Sequence, residues 1–582
     1  MTRRARTNAF VLLGYTGIAF LYFGFRLLPH PGRAVLGAGR DPQIFIWSFA
    51  WWPHAIGNWE NPFVTHAIYA PDGINLAWAT TVPGLAVPFA PLTILFGPTA
   101  SYNVAAMLMP ALSAFTAFLL CRHLTHRLWP ALVGGYLYGF SAYMLGEELG
   151  HLHLTSVFCL PLVALVIVQG LQSELGPRAV AVRLGVLLAL QLYLSTEVLF
   201  TLTFVLALAL GLGFCLVPRS RLALRSLVWP IAAGYGIGAI LGAPLLYYAA
   251  TGYIGDSIND PNLYSGDLLN FVVPTHLLAA GGPALYGISQ HFPSSQVEQG
   301  AYLGIPTLIA VVWFALRERR SPTARFLVVA LLATMLATLG SALWIEGHRE
   351  LSLPWHLLVD LPVFDNVLPV RFAVYGSLAA AVIVALWASK SRRWAAILLP
   401  VLAVAALVPG LETPDFRNFP QRLAFFTDGT YKCLPRNENL AIFPYGFWGN
   451  SMLWQAESGF WFRMADGYLR PKPPPDNIAD PTIRELTYTT ANPTMPQIMA
   501  FVRDKDVSRI LSVEEYVHPD GRQMHRFGEL QSSGGMLLAP ACGYPALTPH
   551  SQLLPPWIYV NGVGVYATKE NLAKLKASRK GG

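Results

Sequence analysis

Charge is what this sequence has least of. Only 12% of its 582 residues are Asp, Glu, Lys or Arg, while 54% are hydrophobic, and with a mean hydropathy of +0.44 that balance lies outside the range of soluble globular proteins. Cysteine is scarce as well: there are five, without the spacing of a metal-ligand set, so no thiolate metal centre is expected. Neither a Walker motif nor a glycine-rich dinucleotide fingerprint occurs, nor any soluble nucleotide-sugar domain, so a transferase reaction here needs a donor held in the bilayer. What the chain does have is apolar runs of about 20 residues, the length of a membrane-spanning helix, recurring from the N-terminus to about residue 410.

The formal charge of +8 does not point to nucleic acid. Its basic residues fall in short loops between the apolar runs: Arg122/Arg127, Arg178/Arg183, Arg219/Arg221/Arg225, Arg317/Arg319/Arg320/Arg325 and Lys390/Arg392/Arg393. Loops of that kind mark the cytoplasmic side. The first apolar run follows the basic start Arg3-Arg4-Ala5-Arg6 and lacks a small-x-small cleavage site, so it reads as an uncleaved helix with its N-terminus in the cytoplasm.

Placing every basic loop inside gives eleven expected spans, near 8–28, 101–121, 130–147, 151–171, 183–195, 197–217, 228–250, 301–316, 325–343, 371–389 and 394–410. Residues 80–98 are apolar but hold Pro83, Pro88, Pro91 and Pro98. They read as a re-entrant or interfacial piece, because each proline removes a backbone donor. The aromatic stretch Ile44 to Trp59 is too short to span and rich in Trp, and is expected to lie along the membrane surface. Two more long outer loops follow, 251–300, with four acids and no Lys or Arg, and 344–370. Residues 1–410 form the expected membrane domain, with residues 29–100 as its first outer loop. From 411 to 582 the composition turns mixed, with strand-like runs at 440–443, 509–513, 557–560 and 563–566 and a helical pattern over Met495 to Asp504, which suggests an extracytoplasmic α/β domain of about 170 residues. There Cys433 and Cys542 could pair.

The outer ends of the helices collect nearly all the intramembrane polar groups: Asp41 after the first span, Glu147, Glu148, His151 and His153 between the third and fourth, Glu197 between two apolar runs, and Arg371 before another. Ionisable groups at membrane depth cost several kcal/mol when unpaired, so they gather around cavities and mark sites. Transfer to a hydroxyl acceptor needs a carboxylate to take the proton and a cation to stabilise a departing phosphate. Asp41 is the candidate base and Arg371 the candidate phosphate ligand, with snorkelling to headgroups as the bland alternative. His54, His151, His153, Glu147, Glu148 and Glu197 are candidates for contacting substrate or phosphate. His151 and His153 open a helix, where positions i and i+2 diverge, so no metal site is assigned; a divalent cation is possible but not predicted. Asp72, in Pro71-Asp72-Gly73, is explained by a turn.

The stretches Tyr69 to Trp78, Gly150-His151-Leu152-His153-Leu154, Asn450 to Ala456 and Gly467-Tyr468-Leu469, with an acid soon after the first span, resemble a group of bacterial membrane proteins of the GT-C class of polytopic glycosyltransferases. That resemblance implies a mostly α membrane fold and transfer of a sugar from a polyprenyl-phosphate donor to a glycan, lipid or protein acceptor, on the outer face of the bacterial cytoplasmic membrane. It also implies that the first-loop acid, here Asp41, is the catalytic carboxylate. The class's paired-acid form is absent, since Arg40 and Pro42 flank Asp41. Two other classes stay open. A transporter or flippase for lipid-linked glycans would reveal repeats or paired broken helices, and no convincing repeat is found. A non-catalytic scaffold would bind polysaccharide through Trp448, Trp454, Trp461 and Phe462.

Overall fold

The computed structural model describes residues 3–252, 261–262, 264–361, 364–392, 394–410, 413–443, 445–469, 474, 477, 479–488, 495–513, 558–560 and 563–567. Its first part is mainly helical, with short strand pairs at Val64–Thr65 with Ile74–Asn75 and at Ala342–Ile345 with His348–Ser352: α1 (Arg3–Tyr22), α2 (Asp41–Gly57), α3 (Pro83–Ala86), α4 (Ala90–Phe96), α5 (Pro98–Thr125), α6 (Leu128–Gly139), α7 (Ala142–Glu147), α8 (Leu152–Thr155), α9 (Cys159–Leu171), α10 (Pro177–Leu194) and α11 (Thr196–Leu216). It continues with α12 (Arg221–Leu241), α13 (Ala243–Thr251), α14 (Pro283–Ser289), α15 (Ile305–Arg317), α16 (Pro322–Leu339), α17 (Ala373–Lys390) and α18 (Ala395–Ala405).

Seven helical segments among the described residues are long and apolar enough to cross a membrane, at Pro98–Thr125, Leu152–Leu171, Pro177–Leu194, Thr196–Leu216, Pro218–Leu241, Pro322–Leu339 and Pro369–Lys390. The protein is a multi-pass membrane protein of mostly helical fold. Every expected span falls on a helix, but four do not reach that standard. The start of α1 is diluted by Arg3, Arg4 and Arg6, and α6, α15 and α18 run to 12, 13 and 11 residues. The proline-rich stretch 80–98 forms no span and breaks into α3 and α4, each with proline in its first turn.

The aromatic helix after Asp41 does not lie open along a surface. In α2 the side chains of Phe45, Trp47, Phe49, Trp51 and Trp52 are buried, and the helix packs on α3, α4, α5 and the later helix Ser451–Glu457. Only its end, at Ile56 and the following Trp59, is exposed. The residues before Asp41 are pinned from α5: Asn103 accepts from Leu36 N at 2.9 Å and donates to Ala34 O at 2.9 Å, and Tyr102 donates to Leu36 O at 3.0 Å. Val35–Leu36 pairs antiparallel with Arg417–Asn418. A loop with its backbone groups so satisfied holds Asp41 in one place.

Beyond residue 411 five strands form one mixed sheet, in the order Ile558–Val560, Val563–Ala567, Arg509–Val513, Asn439–Phe443 and Arg463–Met464. The strand-like runs of the sequence lie in it, and Met495–Asp504 is a helix. Cys433 is disulfide-bonded; Cys542 lies outside the described residues, as do Asp256 and Asp260. Trp454 and Phe462 are fully buried, and Trp454 stacks on Phe426 at 5.1 Å between ring centroids. These two rings are core, not a sugar-stacking surface.

Candidate functional site

Asp41 opens α2, with Pro42 beside it in the first turn, where proline's missing N–H costs nothing and a carboxylate faces the positive end of the helix. The loop carrying His151 can approach because residue 150 is glycine: a Cβ there would meet Asp41 Cβ at 3.3 Å and Pro42 Cδ at 3.2 Å. Gly37, at φ +100, lets the chain before Asp41 pass the same loop, and Ala38 N donates to Leu149 O at 2.6 Å.

The result is a chain of ionised contacts. His151 bridges two carboxylates, Nε2 to Asp41 Oδ2 at 3.1 Å and Nδ1 to Glu147 Oε2 at 2.6 Å, with Glu298 Oε1 at 3.8 Å. Arg371 closes the other end. Its Nε donates to Glu298 Oε2 at 3.1 Å, its Nη2 to Glu298 Oε1 and its Nη1 to Glu197 Oε2 at 2.6 Å. Glu197 reaches it from the first turn of α11, whose N-cap Ser195 accepts from Val198 N at 3.3 Å. Glu147 and Glu298 are buried, whereas the Asp41 side chain keeps 34% exposure and Glu197 24%. Those two are the openings of the cluster.

The site thus joins five of the expected residues, Asp41, Glu147, His151, Glu197 and Arg371. Three others are not ion-paired into it, although His153 lies alongside with its ring 5.9 Å from that of His151. His54 stands 13 residues along α2, roughly 20 Å from Asp41 at 1.5 Å per residue, with its ring 4.7 Å from that of Phe460. His153 stacks on Phe45 at 5.7 Å. Glu148 is buried with no hydrogen-bond partner for either oxygen among the described residues, and burial pushes its carboxyl well above the usual range. Arg371, expected as an open phosphate ligand, is the counter-ion of two carboxylates. Asp72, expected as a plain turn residue, pairs with Lys505 at 2.6 Å.

Two residues of the site were not read from the sequence. Glu298 sits in a long loop whose acids carried no pattern to rank them. Tyr468, whose hydroxyl donates to Asp41 Oδ1 at 2.6 Å, lies within the stretch Gly467-Tyr468-Leu469 but gave no chemical signal of its own.

Burial alone would raise the Asp41 carboxyl; the hydrogen bond and charge of His151, the Tyr468 hydroxyl and Arg371 instead hold it below its ordinary value. Burial would lower His151, but the hydrogen bonds to Asp41 and Glu147 and the charges of Glu147 and Glu298 raise it to about 10. Glu298 is likewise held low against burial by Arg371 and His151. The raised His151 stabilises the fold fully below its ordinary 6.5 and loses that contribution as pH climbs through about 10. The lowered carboxyls stabilise above their ordinary range and lose it on acidification. Melting temperature in detergent is therefore expected to be highest in mildly acidic solution and to decline as pH climbs from 6.5 towards about 10. His151→Gln is expected to remove that decline and to weaken the acid fall, because Asp41 and Glu298 lose a cation that holds them low; a wild-type melting temperature flat between 6.5 and 10 would contradict the bridged imidazolium.

Glu147, His151 and Glu298 bring possible ligand atoms within 4.8 Å of one another. These are residues that could hold a metal ion; in this arrangement His151 Nδ1 is bonded to Glu147 and its other nitrogen to Asp41. At the opposite helix ends Arg127, Arg178, Arg183, Arg219, Arg221, Arg225, Arg319, Arg320 and Arg325 are exposed.

Residues 11–408 match the family described as a domain of unknown function, DUF6311. No curated protein matches the chain. Among solved structures, the arabinofuranosyltransferase AftD from Mycobacteria aligns with 98% of this chain at a TM-score of 0.54 and 15% identity. The chain spans 40% of that protein's length. The oligosaccharyltransferase of Archaeoglobus fulgidus, tethered to an acceptor peptide, aligns with 87% of this chain and 69% of its own at a TM-score of 0.50 and 14% identity. The fold therefore resembles that of GT-C membrane glycosyltransferases; at these identities the likeness is one of fold.

Proposed function

The chain belongs to the DUF6311 family, and on the strength of its buried ion-pair site we propose that it transfers a sugar from a polyprenyl-phosphate donor to a glycan, lipid or protein acceptor. The reaction takes place on the outer face of the bacterial cytoplasmic membrane. The observation that carries the reading is Asp41: an ionised carboxylate, partly exposed, steadied by His151 and standing in the same cluster as Arg371. The acceptor O–H attacks the anomeric carbon and gives its proton to Asp41. The bond from that carbon to the phosphate oxygen breaks, and polyprenyl phosphate leaves with the electron pair. One displacement inverts the anomeric centre. His151 and Arg371 set a positive field for the departing phosphate, which exchanges with Glu197, the more exposed of the carboxylates on Arg371.

The topology proposed with it has eleven spans, the N-terminus in the cytoplasm, a membrane domain over residues 1–410 with first outer loop 29–100, and an extracytoplasmic domain over 411–582. Exposed arginines at one end and the disulfide at Cys433 at the other support that orientation. Purified protein incubated with a panel of polyprenyl-phosphate sugars is expected to release the carrier from one of them. Release is expected to persist in EDTA, because the His151 imidazolium stands where a divalent ion would. Loss in EDTA with recovery on adding Mn²⁺ would replace the metal-free step; no turnover of any donor would favour a transporter or a scaffold.

A further inference from the structure

Asp41 is bonded at both carboxylate oxygens, and only one of the two partners lies inside the family-matched residues 11–408. The other, Tyr468, comes from the far side of the chain, and the backbone just before it is fixed. Asp466, fully buried, accepts from Ser451 Oγ at 2.6 Å and Gly446 N at 3.2 Å, and its carbonyl accepts from Tyr69 N at 3.1 Å. Tyr69 Oη donates to Gly467 O at 2.9 Å, and a Cβ on Gly467 would sit 2.9 Å from the Tyr69 ring. Phe447 backs the Tyr468 ring at 5.0 Å.

A tie between the two regions does not need this hydroxyl. Arg40, next to Asp41 and buried, already donates to Trp448 O, Gly449 O and Asn450 Oδ1, and Gln43 donates to the same Asn450 Oδ1. The Tyr468 hydroxyl is spent instead on the one carboxylate oxygen His151 leaves. With Oδ1 and Oδ2 both held, the Asp41 carboxylate cannot turn, and each oxygen keeps a lone pair in a fixed direction. A base fixed in that way accepts a proton from one acceptor pose.

We infer that Tyr468 is a positioning residue for Asp41, and that through it the region after residue 411 is a working part of the reaction centre rather than an appended glycan-binding module. The inference rests on the proposed transfer reaction. The groups that face Asp41 are His151 from the loop after α7, Tyr468, Arg371 at the head of α17, Tyr102 of α5 and Tyr264; Arg40 is turned to residues 448–450.

The test is Tyr468→Phe in the full chain. Turnover at saturating donor is expected to fall roughly 10- to 100-fold, with donor KM little changed. The acid limb of the pH–rate profile is expected to move to higher pH, because the lost hydrogen bond favoured the ionised carboxylate. Phe447→Leu, which removes packing and keeps the hydroxyl, is expected to lower melting without moving that limb. Unchanged turnover with an unmoved limb in Tyr468→Phe would overturn the inference. A melting-temperature cycle decides it even if no donor is turned over, which would itself defeat the transfer reading. The cost of Tyr468→Phe is expected to vanish when Asp41→Ala is already present; an equal cost in both backgrounds would mean that Tyr468 acts only as packing.

Discussion

Asp41→Asn is expected to lower transfer by a factor on the order of 10² to 10⁴, the range that a general base supplies, while the protein still folds and inserts. The amide keeps the shape and can accept from Tyr468, but it cannot take the acceptor's proton, and it leaves His151 without the anion on Nε2. Folding is spared because the Asp41 side chain is 34% exposed, so its loss uncovers no deeply buried charge. His54→Gln provides the contrast: same helix, far end, ring against Phe460, and expected wild-type transfer. Asn at 41 with normal transfer would take Asp41 out of the mechanism. Loss of activity in both variants would indicate that α2 as a whole, not the carboxylate, had been disturbed.

Arg371→Gln is expected to do more damage, to stability as well as to transfer. Its guanidinium is the counter-ion of Glu298, whose side chain is 2% exposed, and of Glu197. Removing one partner of a buried pair costs about 3–5 kcal/mol, because the charge left behind has neither water nor an ion. Set against a net stability of roughly 5–15 kcal/mol, that is enough to lower melting sharply and reduce the amount of protein recovered from membranes. Adding Glu298→Gln to Arg371→Gln removes the stranded charge and is expected to restore part of the melting temperature while transfer stays lost. If the double variant melts no higher than the single one, Arg371 contributes something other than charge balance.

The distribution of apolar runs and of basic loops was enough to read the helices, since both follow from the bilayer as solvent. Asp41, Glu147, His151, Glu197 and Arg371 were legible for a related reason: each is an ionisable residue at the end of an apolar run, and such residues are rare. Glu298 was not, because its loop holds several acids and nothing local distinguishes the one that meets Arg371. Tyr468 was not, because a tyrosine near tryptophans reads as packing until its hydroxyl is seen on Asp41. The aromatic run after Asp41 misled because Trp favours both the headgroup zone and a protein core. What decided the matter was the helix Ser451–Glu457, over 400 residues away, where Gln455 accepts from Trp47 at 2.8 Å. His54 was misplaced by proximity in sequence, which a straight helix turns into distance.

The bond between Tyr468 and Asp41 joins residues 427 apart. Synthesis at about 5–20 residues per second separates their emergence by roughly 20–85 s. During that interval α2 and the loop of His151 have already been made, but the carboxylate between them has one oxygen unheld. A chain that stalls or is cleaved before residue 468 therefore keeps Asp41 with one oxygen unheld. Emergence of the segment around Tyr468, rather than of the membrane helices, is the event that completes the hydrogen bonding of that carboxylate.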